Sequence, residues 1–168
     1  MSLNGHVPQD WVSEAHRDYG ARLMLYALRI VRDEGRASEV VQETFLKLCR
    51  EQEQHVAGHM AQWLYTVCRN VALDVRRKES RMSAVAEPPM TQVDVTQPSP
   101  LQSTENREDV ARVLAALDRL PENQQECIRL KFQHGLSYQE ISNVTGLSTS
   151  NIGFLIHTGL KQIRSRVT

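Results

Sequence analysis

Little in this chain points to a β-rich or disulfide-stapled protein. Aromatic residues make up only 5% of its 168 residues. No sustained run alternates β-branched or aromatic groups with polar ones, so half-buried strands are not indicated. Cysteine is scarce: Cys49, Cys68 and Cys127 are far apart and odd in number. No pair has the spacing of a zinc or redox motif, and three thiols cannot all pair internally. Each falls among apolar neighbours at helical spacing, so reduced, buried thiols of a cytoplasmic protein are expected. Long hydrophobic runs are missing too. The most apolar stretch, Ala21 to Val31, contains Arg22 and Arg29 and is too short to span a bilayer. Nothing at the start reads as a signal peptide, so no membrane insertion is expected. The six histidines are scattered, and no Ser/His/Asp set, carboxylate pair or glycine-rich phosphate loop stands on a recognisable scaffold. An enzyme is therefore the least favoured class, and no cofactor or metal is expected.

What the sequence does hold is apolar spacing of three and four, which predicts an all-α fold. A helix capped by Asp10 should run to about Val31, with Leu23, Tyr26, Ala27 and Ile30 on one face. Arg32 to Arg36, containing Gly35, reads as a turn. A second helix, Ala37 to Glu51, carries Val41, Phe45 and Leu48 inward. A polar segment follows, Gln52 to His59, and then a long helix from Met60 to Glu79. The stripe of that helix is Leu64, Val67, Cys68, Val71 and Val75. Residues 82–106 hold Pro88, Pro89, Pro98 and Pro100 among Ser, Thr and Gln, too polar to offset the entropy of ordering. Two small helical domains are therefore expected, 1–81 and 107–168, joined by a flexible linker over 82–106. In the second, Val110, Val113, Leu114, Leu117 and Leu120 give an apolar face. Pro121 opens a further helix anchored by Ile128 and Phe132 and closed by Gly135.

The formal net charge is zero, which excludes a uniformly basic nucleic-acid binder, but the charges are zoned. Residues 61–85 carry five basic groups against two acidic, and residues 121–168 carry five against three. Acids collect in 1–60 and 86–120, so different zones can face DNA and a protein partner. The strongest local signal is Leu136 to Arg166. Ser137 and Glu140 have capping-box spacing, Gly146 suits a tight corner, and Ser148 can cap the next helix. Counted from Tyr138, Ile141, Ser142, Gly146, Leu147, Ile152 and Leu155 fall at the places a helix-turn-helix needs small, glycine and apolar residues. An ordinary helical hairpin satisfies fewer of them.

Two sets of residues resemble a known family. Leu120-Pro121-Glu122-Asn123-Gln124 and Gly135-Leu136-Ser137-Tyr138-Gln139-Glu140-Ile141 resemble region 4 of RNA polymerase sigma factors. Val40-Val41-Gln42-Glu43-Thr44-Phe45-Leu46, Trp63-Leu64-Tyr65 and Arg69-Asn70-Val71-Ala72-Leu73-Asp74 resemble region 2. Both occur in the order of the extracytoplasmic-function (ECF) type of the sigma-70 family. The resemblance implies that Glu39, Gln42 and Glu43 dock on the clamp helices of the polymerase core, with the flap as a second contact. It implies that the loop Gln52 to His59 holds a base turned out of the −10 element, while Arg69, Asn70, Arg76 and Arg77 line the DNA path. It further implies −35 reading by the helix-turn-helix, a linker threading toward the active-site channel, and an anti-sigma factor as partner. Basic groups on the long helix suit phosphate binding, although Arg76, Arg77 and Lys78 also suit a solvated helix end. Trp63 and Tyr65 can stack on bases, but Trp63 begins the apolar stripe, which favours core packing for that residue.

The chain departs from the family in its recognition helix. Family members usually carry several Lys and Arg between the positions of Gly153 and Gln162, where this chain has only apolar and neutral groups until Lys161. The residues expected at the groove are Ser148, Thr149, Ser150, Gly153, Phe154 and His157, with Lys161, Arg164 and Arg166 on phosphates. The two helical glycines each cost about 1 kcal/mol relative to alanine. Two competing classes remain: a conventional operator-binding regulator that needs no polymerase, and an interaction protein that has lost DNA binding.

Overall fold

The computed structural model describes residues 10–83 and 104–168, and the chain forms two compact units. All regular structure among the described residues is helical.

In the first unit α1 (Asp10–Val31), α2 (Glu34–Cys49) and α4 (Met60–Ser83) pack against one another pairwise. Leu23, Tyr26 and Ala27 of α1, Val41, Phe45 and Leu48 of α2, and Leu64, Cys68 and Val71 of α4 are buried as expected. Tyr65 and Ala72 join them with no exposure. Tyr65 meets Tyr26 edge-on, ring centroids 5.2 Å apart, an arrangement that aromatic quadrupoles favour. Tyr65, a candidate for base stacking, is thus core, while Trp63, expected in the core, is only half-buried.

The corner between α1 and α2 is tighter than the expected five-residue turn. Arg32 takes a left-handed φ of 55°, and Asp33 caps α2 by accepting from the Arg36 amide at 2.9 Å. Only two residues are left outside the helices, so Gly35, the expected turn residue, is already helical. The polar segment 52–59 is also helical: α3 (Glu53–Val56) runs into a 3₁₀ turn, Ala57–His59. Val56, almost wholly buried, pins it to the core, and that single anchor was masked by the polar residues around it. Cys49 corrects another expectation. It is exposed, whereas Cys68 and Cys127 are buried, because its place on α2 lies off the Val41, Phe45, Leu48 stripe.

Residues 84–103, most of the expected linker, lie outside the described residues. Its ends do not, and both belong to helices, α4 through Ser83 and α5 (Thr104–Asp118) from Thr104.

In the second unit α8 (Thr149–Val167) packs against α5, α6 (Glu122–Ile128) and α7 (Tyr138–Thr145). A π-helical turn, Arg129–Gln133, continues α6. Gly135 ends it at φ 73°, and the Leu136 amide donates to the Leu130 carbonyl at 2.9 Å. The wider π turn rotates Phe132 outward to 63% exposure, so it is not the expected anchor, and Leu130 fills the core instead. Val110 and Val113 are also exposed, and only Leu117 and Leu120 of that expected face are buried. Gly159 explains itself by packing. A Cβ there would lie 2.6 Å from Ile128 Cδ1 and 3.3 Å from Leu120 Cδ1, so hydrogen lets α8 press onto α6.

Candidate nucleic-acid and polymerase interface

The helix-turn-helix geometry begins with Ser137. Its hydroxyl accepts from the Glu140 amide at 3.1 Å, and the Glu140 carboxylate accepts from the Ser137 amide at 3.0 Å. This reciprocal box satisfies two donors that the start of α7 would otherwise leave bare. Gly146 turns the corner at φ 78°, its amide bonded to the Ser142 carbonyl. Ser142 Oγ donates to the Leu147 carbonyl at 2.6 Å, so the small residue at the crossing also ties the corner. Ser148 then caps α8, accepting from the Asn151 amide at 3.1 Å.

Burial of Ile152, Leu155, Ile156 and Ile163 fixes the rotation of α8. Ser148, Thr149, Ser150, His157, Lys161 and Arg164 are exposed in consequence, and Phe154 is 65% exposed. Gly153 is half-buried rather than open, because the Tyr138 ring lies beside it. Spacing did not reveal this contact, since the two residues belong to different helices.

In the first unit Glu39, Gln42 and Glu43 are exposed on α2. Leu46, 61% exposed, extends the same face and was not singled out as a site residue, although its place outside the buried stripe is a readable signal. Lys47 lies 3.9 Å from Glu43. These two α2 side chains and Asn70, Asp74 and Lys78 of α4 line a shallow groove of about 250 Å³. Asn70, Arg76 and Arg77 are exposed on α4 and Arg69 is half-buried. Arg77 pairs with Asp74 at 2.6 Å, and at the far end of that helix Glu79 pairs with Arg36 of α2. The segment after α2 presents Gln52, Gln54, His55 and His59 to solvent around the buried Val56. Beneath these surfaces burial pushes the Cys68 thiol up to about 12 and raises the Tyr65 hydroxyl as well. Both are core groups and take no part in the surface chemistry. Among the described residues no cluster of three or more His, Cys, Asp or Glu could hold a metal, and no helix is long and apolar enough to cross a membrane.

A helix-turn-helix unit with a capped, outward-facing second helix is the arrangement by which many DNA-binding proteins present a recognition helix to the major groove. The sigma-70 region 2 model matches residues 15–82 and the sigma-70 region 4 model matches residues 111–163. The chain belongs to the sigma-70 family. It is 30% identical over 152 residues to the ECF RNA polymerase sigma factor SigE of Mycolicibacterium smegmatis, covering 90% of this chain and 59% of that one. It is 25% identical over 158 residues to the RNA polymerase sigma factor CarQ of Myxococcus xanthus, covering 93% and 88%. The fold is similar to that of the sigma factor RpoE solved with the anti-sigma factor NepR from Bartonella quintana. That likeness has a TM-score of 0.74 at 21% identity and covers 95% and 97% of the two chains.

Proposed function

We propose that this chain is an ECF-type sigma factor that binds core RNA polymerase and directs promoter-specific initiation. The observation that carries the reading is the succession of region 2 and region 4 on two separate helical units. Residues 1–81 bind the polymerase and the −10 element, 107–168 read the −35 element, and 82–106 connect them. The exposed acidic face Glu39, Gln42, Glu43 docks on the clamp helices, and the second unit meets the flap. Arg69, Asn70, Arg76 and Arg77 follow the promoter strand, and the segment 52–59 receives an unstacked base. Such capture offsets the few kcal/mol that unpairing costs. An anti-sigma factor is the proposed regulator, and the cytoplasm the proposed site of action. The chain acts by binding, with catalysis left to the polymerase.

Transcription of fragmented genomic DNA with and without core polymerase tests this. Discrete starts should require both proteins. Tight binding of the free chain to palindromic DNA, with no transcript from the mixture, would support the operator-binding alternative instead.

A further inference from the structure

Past Val75 the long helix α4 leaves the core of its unit. Arg76, Arg77, Lys78, Ser80 and Arg81 are exposed, and Met82 is 79% exposed. Glu79, paired with Arg36 on α2, ties this end back to the unit. Ser80 stands out there for two reasons. Its hydroxyl has no hydrogen-bond partner among the described residues, whereas Ser165, which stands between two arginines, donates to the Gln162 carbonyl at 2.8 Å. It also closes the run Arg76-Arg77-Lys78-Glu79-Ser80, with basic side chains two, three and four places before the hydroxyl. Arginine-directed protein kinases select serines by basic residues at such places, through acidic pockets beside their active sites.

We propose that Ser80 is a phosphorylation site for an arginine-directed serine/threonine kinase, and that its phosphate switches off promoter binding by the first unit. The consequence for promoters rests on the sigma-factor reading above. In the modifying step the Ser80 oxygen attacks the γ-phosphorus of a nucleoside triphosphate. The new O–P bond forms as the bond to the β-phosphate oxygen breaks, the diphosphate leaves, and the hydroxyl proton passes to the kinase's base. Arg76 and Arg77 stand four and three residues before Ser80, so all three are neighbours on the helix surface. A phosphoserine brings about −1.5 to −2 charges to a zone of five basic groups against two acidic, and so cancels at least half of the excess. Guanidinium groups take phosphate bidentately. Arg76 and Arg77, the latter now paired with Asp74 at 2.6 Å, would turn to the new group instead of the promoter strand. An anion is also unfavourable at the C-terminal end of a helix, so the last turn of α4 loosens. The same property admits the kinase, which reads its substrate as extended chain: a terminal turn with few buried contacts opens at little cost.

The test uses the full-length chain, magnesium ATP and the catalytic subunit of cyclic-AMP-dependent protein kinase as the arginine-directed probe, with sites mapped by mass spectrometry. Ser80 should take up phosphate, and Ser80→Ala should lose that uptake. A chain carrying genetically encoded phosphoserine at position 80 is then reconstituted with core polymerase and bound to fragments that wild-type holoenzyme selects from genomic DNA. Affinity for every fragment should fall by about tenfold, and the slope of log affinity against log salt should drop by about 1–2. Affinity for core polymerase should stay that of wild type, and Ser80→Ala should bind polymerase and promoters as wild type. In an Arg76→Ala, Arg77→Ala background the phosphate should cost much less, because the contacts it removes are already gone. An unmodified Ser80 beside a fully phosphorylated control peptide would overturn the site. Wild-type promoter affinity in the phosphoserine chain would overturn the switch, and an equal loss with and without the two arginines would overturn its route through them. If wild-type holoenzyme selects no promoter at all, the sigma-factor reading falls and the switch with it; an indifferent phosphoserine on a working promoter sinks the inference alone.

Discussion

The two units use aromatic and charged residues in opposite ways. The first leaves none of its Phe, Tyr or Trp side chains fully exposed. Tyr26, Phe45 and Tyr65 are buried, with Tyr26 edge-on to Tyr65, and Trp11, Tyr19 and Trp63 are half-buried. Its exterior is acidic on α2 and basic on α4. The second displays Phe132, Tyr138 and Phe154 and buries Arg129, His134 and Gln124. Arg129 holds Asp118 at 2.7 Å, which links the end of α5 to the π turn. A polar exterior over an aromatic core suits docking steered by charge, whereas exposed rings beside a reading helix suit close apolar contact with bases. The contrast shows how a chain of zero net charge can offer a polyanion and a protein partner different local surfaces. Each unit presents a local surface, and neither relies on the overall charge.

The sharpest way to break this comparison is to damage one core and watch the other. Leu64 is fully buried in the first unit, so Leu64→Ala should cost about 2–5 kcal/mol there. Thermal melting followed by circular dichroism should show one transition moving down and the other staying put. A single transition shifting as a whole would mean that the units unfold together and cannot be treated as separate designs. The second unit has its own weak point. Gly159→Leu should cost that unit about 1–3 kcal/mol through overpacking against Ile128 and Leu120, more than the roughly 1 kcal/mol gained by leaving glycine. A more stable variant would mean that α8 can lift off α6 without loss.

How much of this was legible in the sequence follows from where each signal sits. The capping box at Ser137, the corner at Gly146 and the cap at Ser148 were readable because each depends on residues within a few positions of one another. The stripe Val41, Phe45, Leu48 was readable for the same reason. What failed depended on distance or on backbone irregularity. The π turn rotated Phe132 out of the core, a left-handed Arg32 took the place expected of Gly35, and Val56 anchored a segment whose other residues are polar. Candidate residues such as Glu39 and Phe154 could be assigned to a solvent face from periodicity alone. The Tyr138 ring beside Gly153 could not, since helix crossing brings together residues with no sequence pattern in common.

A pH titration sharpens the contrast in buried groups. Cys68 sits wholly inside the first unit, its thiol donating to the Leu23 carbonyl at 3.9 Å, and desolvation raises it from 9.0 to about 12. A raised pKa stabilises the fold fully below the unfolded value and is lost progressively as pH climbs toward the folded value. The first unit should therefore weaken between about pH 9 and 12, by on the order of 1 kcal/mol at pH 10. Tyr65, raised in the same direction by burial, adds to the loss at the upper end. Denaturant melts at pH 8 and pH 10 check this, with Cys68→Ala as control. An equal pH dependence in that variant would remove the thiol from the account.

The smallest expected effect is also the one that decides what the exposed aromatics of the second unit are for. Phe154 stands on the outward face of α8 because Ile152, Leu155 and Ile156 are held inward. A ring that exposed has little packing to lose, so Phe154→Ala should leave melting within a few tenths of a kcal/mol. On DNA the ring can meet a thymine methyl in the major groove, the apolar mark that separates thymine from cytosine there. The substitution should therefore change which −35 sequences the holoenzyme accepts, at one position and by about 1 kcal/mol. Lys161→Ala, by contrast, should weaken all promoters alike and flatten the salt dependence, because a phosphate contact carries no sequence information. Selection from a randomised −35 library distinguishes the two patterns directly. Should Phe154→Ala keep the wild-type preference and instead abolish binding to a protein partner, the exposed ring would belong to a protein interface. The second unit's outward aromatics would then serve the same kind of partner as the first unit's acidic face.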